Sequence, residues 1–127
     1  MSLRDRAKSA RPPGAQPREE MIHRAVVELL QASARPGVAW THMPAGELRA
    51  PATAGKLKGL GTKPGWPDLQ LIRDGRFYGL ELKREGGKVS PAQIGAHQEL
   101  RAAGATIAVA YGLDAAIAVL RQWEMVR

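Results

Sequence analysis

The stretch PDLQLIRDGRFYGLELK, from Pro67 to Lys83, carries two carboxylates and a lysine around a tight turn. Its central Asp74-Gly75 is the strongest short signal for a β-hairpin, and the alternating apolar residues on both sides predict two strands. A two-residue turn at that point places Asp68 directly opposite Glu81. The sequence therefore predicts two facing acids near the open end of a hairpin.

These two acids share a predicted sheet face with Lys83, because side chains alternate along each strand. Facing residues have Cβ atoms roughly 4.5–5.5 Å apart, so two carboxylates there need a proton or a cation between them. Mg²⁺ prefers carboxylate oxygens and retains several waters, and Lys83 would then polarise or deprotonate one water. Gly79, opposite Gln70, is expected to leave space for a substrate. The alternative is a solvated polar face on a half-exposed sheet.

The helices and strands predicted around these residues follow the order αβββαβα. The opposite face of the hairpin is the expected core, formed by Leu69, Leu71, Tyr78, Leu80 and Leu82. The other predicted elements are a helix in EEMIHRAVVELLQ, a strand at Val38–His42, a helix opening at SPAQ, a strand at Ala105–Tyr111 and a last helix capped by Asp114. These assignments rest on the spacing of the apolar residues, which is helical in the helices and alternating in the strands.

A long Gly/Pro-rich connection, MPAGELRAPATAGKLKGLGTKPGWP, is predicted between the first strand and the hairpin. Connections of this length are usually functional or disordered. It carries Lys56, Lys58 and Lys63, and Arg84 and Lys88 follow the hairpin. We expect these five cations to contact nucleic-acid phosphates, with solvated loop charge as the alternative.

The composition predicts one basic domain. The chain has 127 residues, 44% of them hydrophobic, and no cysteine, which excludes a disulfide scaffold or a thiolate metal site. Its net charge of +7 favours a polyanionic partner. Residues 1–18 hold five basic residues against one acid and are predicted to be a disordered basic arm. Without a signal-like or membrane-spanning stretch, the sequence indicates a soluble, cytoplasmic protein with no membrane association.

The motif GWPDL…ELK resembles the Pro-Asp…Asp/Glu-x-Lys nuclease signature of restriction-endonuclease-like enzymes. That resemblance implies an α/β fold with an αβββαβ core, in which helices flank a mixed central sheet. The longer stretches KPGWPDLQLI and GRFYGLELKREGGKVSPAQIGAHQELRAAGATIAVA resemble the VRR-NUC (virus-type replication-repair nuclease) family over about residues 19–123. The expected domain is therefore residues 19–127, following the arm.

The resemblance also implies roles for individual residues. Asp68 and Glu81 match the metal-binding acids, and the backbone carbonyl of Leu82 would be a further ligand for Mg²⁺ or Mn²⁺. Lys83 matches the catalytic lysine, and Gln93, ten residues later, matches the glutamine of the following helix. Gln93 also has a structural interpretation, because it completes a predicted capping box at the start of that helix.

The family also uses a glutamate of the first helix, which here is Glu19 or Glu20. Glu19 is preferred because it lies three residues before Ile22 and seven before Val26, on the inward stripe of the predicted helix. The sequence gives no comparable reason to assign the histidines a role in catalysis or metal binding. Structural roles, in packing or at the surface, are the default interpretation for His23, His42 and His97.

The function implied by the resemblance is that of a metal-dependent DNA endonuclease of bacterial or phage origin. Stand-alone members of the family are dimeric and act on branched DNA, which implies a homodimer with structure-selective activity like that of a Holliday-junction resolvase, in DNA repair. Two alternatives stay open at this point. One is a flap-type or other structure-specific nuclease, and the other is a catalytically silent DNA-binding module.

Overall fold

The computed structural model describes residues 18–43 and 51–127. The helices are α1 (Glu19–Ser33), α2 (Pro51–Gly59), α3 (Pro91–Ala102) and α4 (Leu113–Gln122). The strands are β1 (Ala39–His42), β2 (Leu69–Arg73), β3 (Arg76–Lys83) and β4 (Thr106–Tyr111). The predicted basic arm lies outside the described residues apart from Arg18. No described helix has the length and apolarity that crossing a membrane requires.

The four strands form one mixed sheet in the order β1-β2-β3-β4. The first three strands pair antiparallel, and β4 pairs parallel to β3. Arg73 pairs with Arg76 and Leu69 with Leu80, which confirms the predicted hairpin register. Asp74 and Gly75 have φ values of 53° and 73°, so both turn residues are left-handed, as a two-residue hairpin turn requires.

The predicted apolar face of the hairpin is the core of the domain. Leu69, Leu71, Tyr78, Leu80 and Leu82 are all buried in one cluster. Helices α1 and α4 cover this face, with Ile22, Val26 and Leu30 from α1 and Ala116 and Leu120 from α4. The apolar residues of both helices therefore recur at helical spacing because one face of each helix packs on the sheet.

Helix α3 covers the other face of the sheet beside β3 and β4. A complete capping box at Ser90 and Gln93 fixes where this helix starts, as predicted. The Arg101 guanidinium donates from Nη2 to the Ile107 carbonyl at 3.1 Å and ties the helix to β4. As a result β3 is buried on both faces from Tyr78 to Lys83, so the alternative of a half-exposed polar face is wrong for these positions.

Two local predictions are wrong. The connection before the hairpin contains helix α2, which has no apolar stripe that periodicity could detect. Pro51 at the first position and the alanines that follow favour a helix start there. The last helix is capped by Gly112 rather than by Asp114, which lies in its first turn and interacts favourably with the helix dipole instead.

Candidate active site

Asp68 stands where the chain enters β2, and hydrogen bonds fix it on both sides. Its Oδ2 accepts a hydrogen bond from the Leu82 backbone N–H at 2.8 Å. Its carbonyl accepts one from the Met43 N–H at 2.9 Å, which extends the pairing with β1. The second carboxylate oxygen of Asp68 is therefore held at the end of the hairpin, next to β3.

Glu81 lies beside Asp68 and is only 1% exposed. Burial raises its pKa to about 9, helped by the hydrogen bond to the Asp68 carboxyl and by the negative charges of Asp68 and Glu19. The charge of Lys83 lowers the pKa of Glu81 in part. The paired acids therefore favour the addition of positive charge, as a proton or as a cation.

Lys83 ends β3 and is 8% exposed. Its carbonyl accepts a hydrogen bond from the Gly112 N–H at 2.8 Å, and Tyr111 of β4 is its neighbour in the sheet. Because residues 81 and 83 alternate to the same face, the ammonium group and the Glu81 carboxyl share one buried compartment. The structure thus brings the two predicted acids and the predicted lysine together.

The start of α1 reaches the same end of the sheet. Glu19 Oε2 is 3.5 Å from the position that a Cβ on Gly87 would occupy, in the turn after β3. Glu20 instead accepts from the Arg24 guanidinium, with a nitrogen to oxygen distance of 3.1 Å. Glu19 also raises the pKa of Glu81, so Glu19 is the first-helix acid with an electrostatic link to the pair.

An open cleft of about 440 Å³ runs over this end of the sheet. Its lining residues are Glu19, Glu20, His23, Arg24, His42, Asp68 and Leu82. The His23 and His42 rings meet edge to face at 4.3 Å, and His42 Nδ1 is 3.0 Å from the Asp68 carbonyl. A ligand in this cleft would therefore reach Asp68 and Leu82.

His97 is a residue that sequence reasoning missed. Its Nε2 lies 3.2 Å from Glu81 Oε1, and the ring is almost fully enclosed between α3 and the sheet. Burial lowers the pKa of His97, as do the charges of Arg101 and Lys83, against an opposing effect of Asp68. The available signal was its spacing, since His97 lies three residues before buried Leu100 on the same helix face.

The predicted catalytic residue Gln93 has its side chain in the capping box of α3. Its side-chain Oε1 accepts a hydrogen bond from the backbone N–H of Ser90 at 2.8 Å. The backbone N–H of Gln93 donates to Ser90 Oγ at 3.2 Å. A Cβ on Gly65 would lie 2.3 Å from the Ala92 carbonyl oxygen, so the loop leading to Asp68 packs tightly on this first turn. In this structure Gln93 orders the start of α3, as its structural interpretation predicted.

The position at Gly79 is not open. A Cβ there would lie 2.6 Å from Pro67 Cγ and 2.8 Å from Ile107 Cδ1. The expectation that Gly79 leaves space for a substrate is therefore wrong. This glycine instead allows Pro67 and Ile107 to close over the sheet, and Pro67 sets the entry of the chain into the site.

The five predicted phosphate-binding cations are all exposed: Lys56, Lys58, Lys63, Arg84 and Lys88. Lys56 and Lys58 lie in the last turn of α2. Lys63 donates to Glu99 of α3 at 2.9 Å on the surface, so its charge is partly offset. Arg84 follows Lys83 directly, next to the buried compartment.

The donor set suits a hard divalent cation. In residues 18–43 and 51–127, no three histidine, aspartate or glutamate side chains are arranged as a metal cluster. The candidate ligands are instead the Asp68 and Glu81 carboxylates with the Leu82 carbonyl, and Glu19 is nearby. A cation that keeps several waters, such as Mg²⁺, needs no more protein ligands than these. The need of the two adjacent acids for positive charge supports the same conclusion.

Comparison with known proteins identifies the fold. Neither a family model nor a curated protein sequence matches the chain. A solved structure described as a "VRR_NUC domain protein" is 26% identical, has a TM-score of 0.68, and matches over 83% of this chain and 86% of its own. The chain folds as a VRR-NUC domain. The predicted α/β fold is thereby confirmed, and the likeness indicates a nuclease domain.

A second solved structure, described as a "VRR_NUC domain", has the same fold. It is 22% identical to this chain with a TM-score of 0.56, and the match covers 82% of this chain and 94% of the other. In both comparisons the match spans most of each chain. The fold shared with these two structures therefore accounts for nearly all of the described residues.

Proposed function

We propose that this VRR-NUC domain is a metal-dependent deoxyribonuclease that hydrolyses phosphodiester bonds. One observation carries the proposal. The carboxyl of buried Glu81 interacts with the carboxyl of half-buried Asp68 and with the charge of buried Lys83, and Asp68 lines an open cleft. A structural role alone does not explain this grouping, because burying Glu81 against a second carboxyl is costly unless the pair receives positive charge.

The proposed cofactor is Mg²⁺ or Mn²⁺. Asp68, Glu81 and the Leu82 carbonyl would hold it, with Glu19 contributing from α1. When bound, the ion supplies positive charge to phosphate oxygens and lowers the pKa of the attacking water. Two features suit these residues to a divalent cation: all the donors are oxygen atoms, and the raised pKa of Glu81 shows that the pair needs positive charge.

The residues of the chain have separate roles in the proposed reaction. The Leu82 N–H holds the Oδ2 atom of Asp68, a residue that lines the cleft. Lys83 orients the attacking water or removes its proton, and its charge also stabilises negative charge that develops on the phosphate. Because Lys83 extends from a strand buried on both faces, its position needs little reorganisation during the reaction.

The proposed substrate is DNA, with a preference for branched forms. The net charge of +7 and the exposed cations near the site support a polyanionic partner. The resemblance to stand-alone members supports branched DNA, a homodimer with two sites, and a repair role in the cytoplasm of a bacterium or a phage-infected cell.

A panel of labelled DNA substrates tests the proposed function. Four-way junction, flap, single-stranded and linear duplex DNA are incubated with Mg²⁺ or Mn²⁺ and wild type, Glu81→Ala or Lys83→Ala. Gln98→Ala, at an exposed position of α3, is the matched control. We expect paired nicks in the junction with wild type and the control, and none with either site variant.

Other outcomes of the panel are equally informative. Preferential cutting of flaps, abolished by both site variants, would support the flap-type alternative and reject the junction preference. If wild type cuts no substrate yet binds DNA as well as both variants do, the nuclease proposal fails. A catalytically silent DNA-binding module would then be the better account.

A further inference from the structure

We propose that His97 is a positioning residue for the metal ligand Glu81. This inference deepens the proposed function and rests on it. The imidazole Nε2 lies 3.2 Å from Glu81 Oε1, and the two side chains are 4% and 2% exposed. Neither the sequence motif nor the roles implied by the resemblance include this contact.

The direction of the hydrogen bond follows from the chemistry of a metal ligand. A carboxylate that binds a cation is ionised and can only accept hydrogen bonds. The imidazole must then donate from Nε2 to Oε1, which leaves Oε2 of Glu81 to the cation. Groups that orient a metal ligand in this way typically change metal affinity 10–100-fold when they are removed.

The position of the imidazole is well fixed by its helix. The capping box at Ser90 sets the start of α3, and buried Ala96 and Leu100 flank His97. Arg101 ties the same helix to the Ile107 carbonyl of β4 at 3.1 Å. The donor therefore comes from a rigid element that is anchored to the strand next to β3, and it holds Glu81 in one orientation.

Two variants of similar shape separate a hydrogen-bonding role from a packing role. In His97→Gln the side-chain amide nitrogen reaches about where Nε2 lies and can donate to Glu81. His97→Met fills a similar volume but has no donor. Gln98→Met, at the neighbouring exposed position, is the control. Mn²⁺ alone, without DNA, is titrated into each metal-free protein by calorimetry.

We expect His97→Gln and Gln98→Met to bind Mn²⁺ within a few-fold of wild type, and His97→Met to bind about 10–100-fold more weakly. Wild-type affinity in His97→Met would overturn the proposal, and so would an equal loss in both His97 variants. If wild type itself does not bind Mn²⁺, the proposed metal site fails and this inference fails with it. If wild type binds Mn²⁺ and His97→Met binds it equally well, only the proposed role of His97 fails and the proposed metal site stands.

A measurement on wild type covers the case in which His97→Met does not fold. The ¹⁵N resonances of the His97 ring are recorded with saturating Mg²⁺. A proton on Nε2 is the expected result, because the ionised Glu81 carboxylate requires a donor there. A ring that carries its proton only on Nδ1 would overturn the proposal.

Discussion

At the residue scale, the pairing of Asp68 and Glu81 is the central feature of this domain. Sequence reasoning predicted that these acids face each other because the Asp74-Gly75 turn fixes the register. It could not predict the burial of Glu81, which depends on α3 covering a sheet face that looks polar in the sequence. For the same reason it missed His97, whose importance arises from its contact with Glu81 and not from a motif.

The raised pKa of Glu81 predicts how the stability of the metal-free protein depends on pH. In the unfolded chain this carboxyl ionises near 4.5, whereas in the folded protein it keeps its proton up to about 9. Between these values the unfolded state binds fewer protons, so the free energy of unfolding falls as pH rises. Glu81→Gln removes this contribution. Urea unfolding between roughly pH 5 and pH 8 should show wild type losing stability relative to the variant, by up to about 1.4 kcal/mol per pH unit.

Metal-free samples are essential to that comparison, because a bound cation would favour the ionised carboxyl. Glu99→Gln is a suitable control, since Glu99 lies on the surface in an ion pair with Lys63. Its stability should follow that of wild type across the range. Parallel pH profiles for wild type and Glu81→Gln would contradict the assigned burial and pairing of Glu81.

At the element scale, local signals in the sequence predicted the hairpin and the start of α3 because each depends on a few adjacent residues. The Asp-Gly turn and the Ser90 to Gln93 capping box are of this kind. Helix α2 was missed because no apolar stripe marks it. The closed position at Gly79 also could not be predicted, since Pro67 and Ile107 reach it from different parts of the chain.

The contacts around Gly79 predict that Gly79→Ala destabilises the fold. The new methyl group would stand 2.6 Å from Pro67 Cγ and 2.8 Å from Ile107 Cδ1, so those side chains or the strand must shift. Overpacking of this kind typically costs about 1–3 kcal/mol, which chemical denaturation can measure.

Gly95→Ala is the matched control for this prediction. It is the same substitution in the middle of α3, where a Cβ meets no atom within 4 Å. Because alanine favours a helix over glycine, this variant should gain roughly 0.5–1 kcal/mol. Equal stability of the two variants would show that the tight contact at Gly79 does not exist in solution.

At the scale of the whole molecule, the overall charge and the single sheet could both be predicted from the sequence. The composition predicted one basic domain, and the described residues form one sheet with helices on both faces. The position of α2 relative to the motif was beyond prediction, because that helix itself was not expected. Its last turn nevertheless carries two exposed lysines, Lys56 and Lys58.

Replacing these two lysines should weaken DNA binding in a salt-dependent manner. Each phosphate contact that is lost lowers the slope of log affinity against log salt by about one. Lys56→Gln/Lys58→Gln should therefore reduce the slope by up to about two without changing the preference among DNA sequences. Fluorescence anisotropy at several salt concentrations measures this.

The matched control removes two charges at a different place. Arg121→Gln/Arg127→Gln changes exposed residues of α4 and the chain end, and α4 packs on the opposite face of the sheet from α3. It has the same net charge as the lysine variant. If both double variants lose affinity equally, the effect is one of overall charge, and the assignment of phosphate contacts to α2 is wrong.

Metal-dependent cleavage of labelled DNA is the direct test of the proposed nuclease activity. Wild type, Glu81→Gln, Lys83→Met and Gln98→Met are each assayed with EDTA, with Mg²⁺ and with Mn²⁺. We expect cleavage by wild type and Gln98→Met only when a metal is added, with rates at least about 100-fold lower in Lys83→Met and Glu81→Gln. Cleavage at the wild-type rate by either site variant, or cleavage in EDTA, would contradict it.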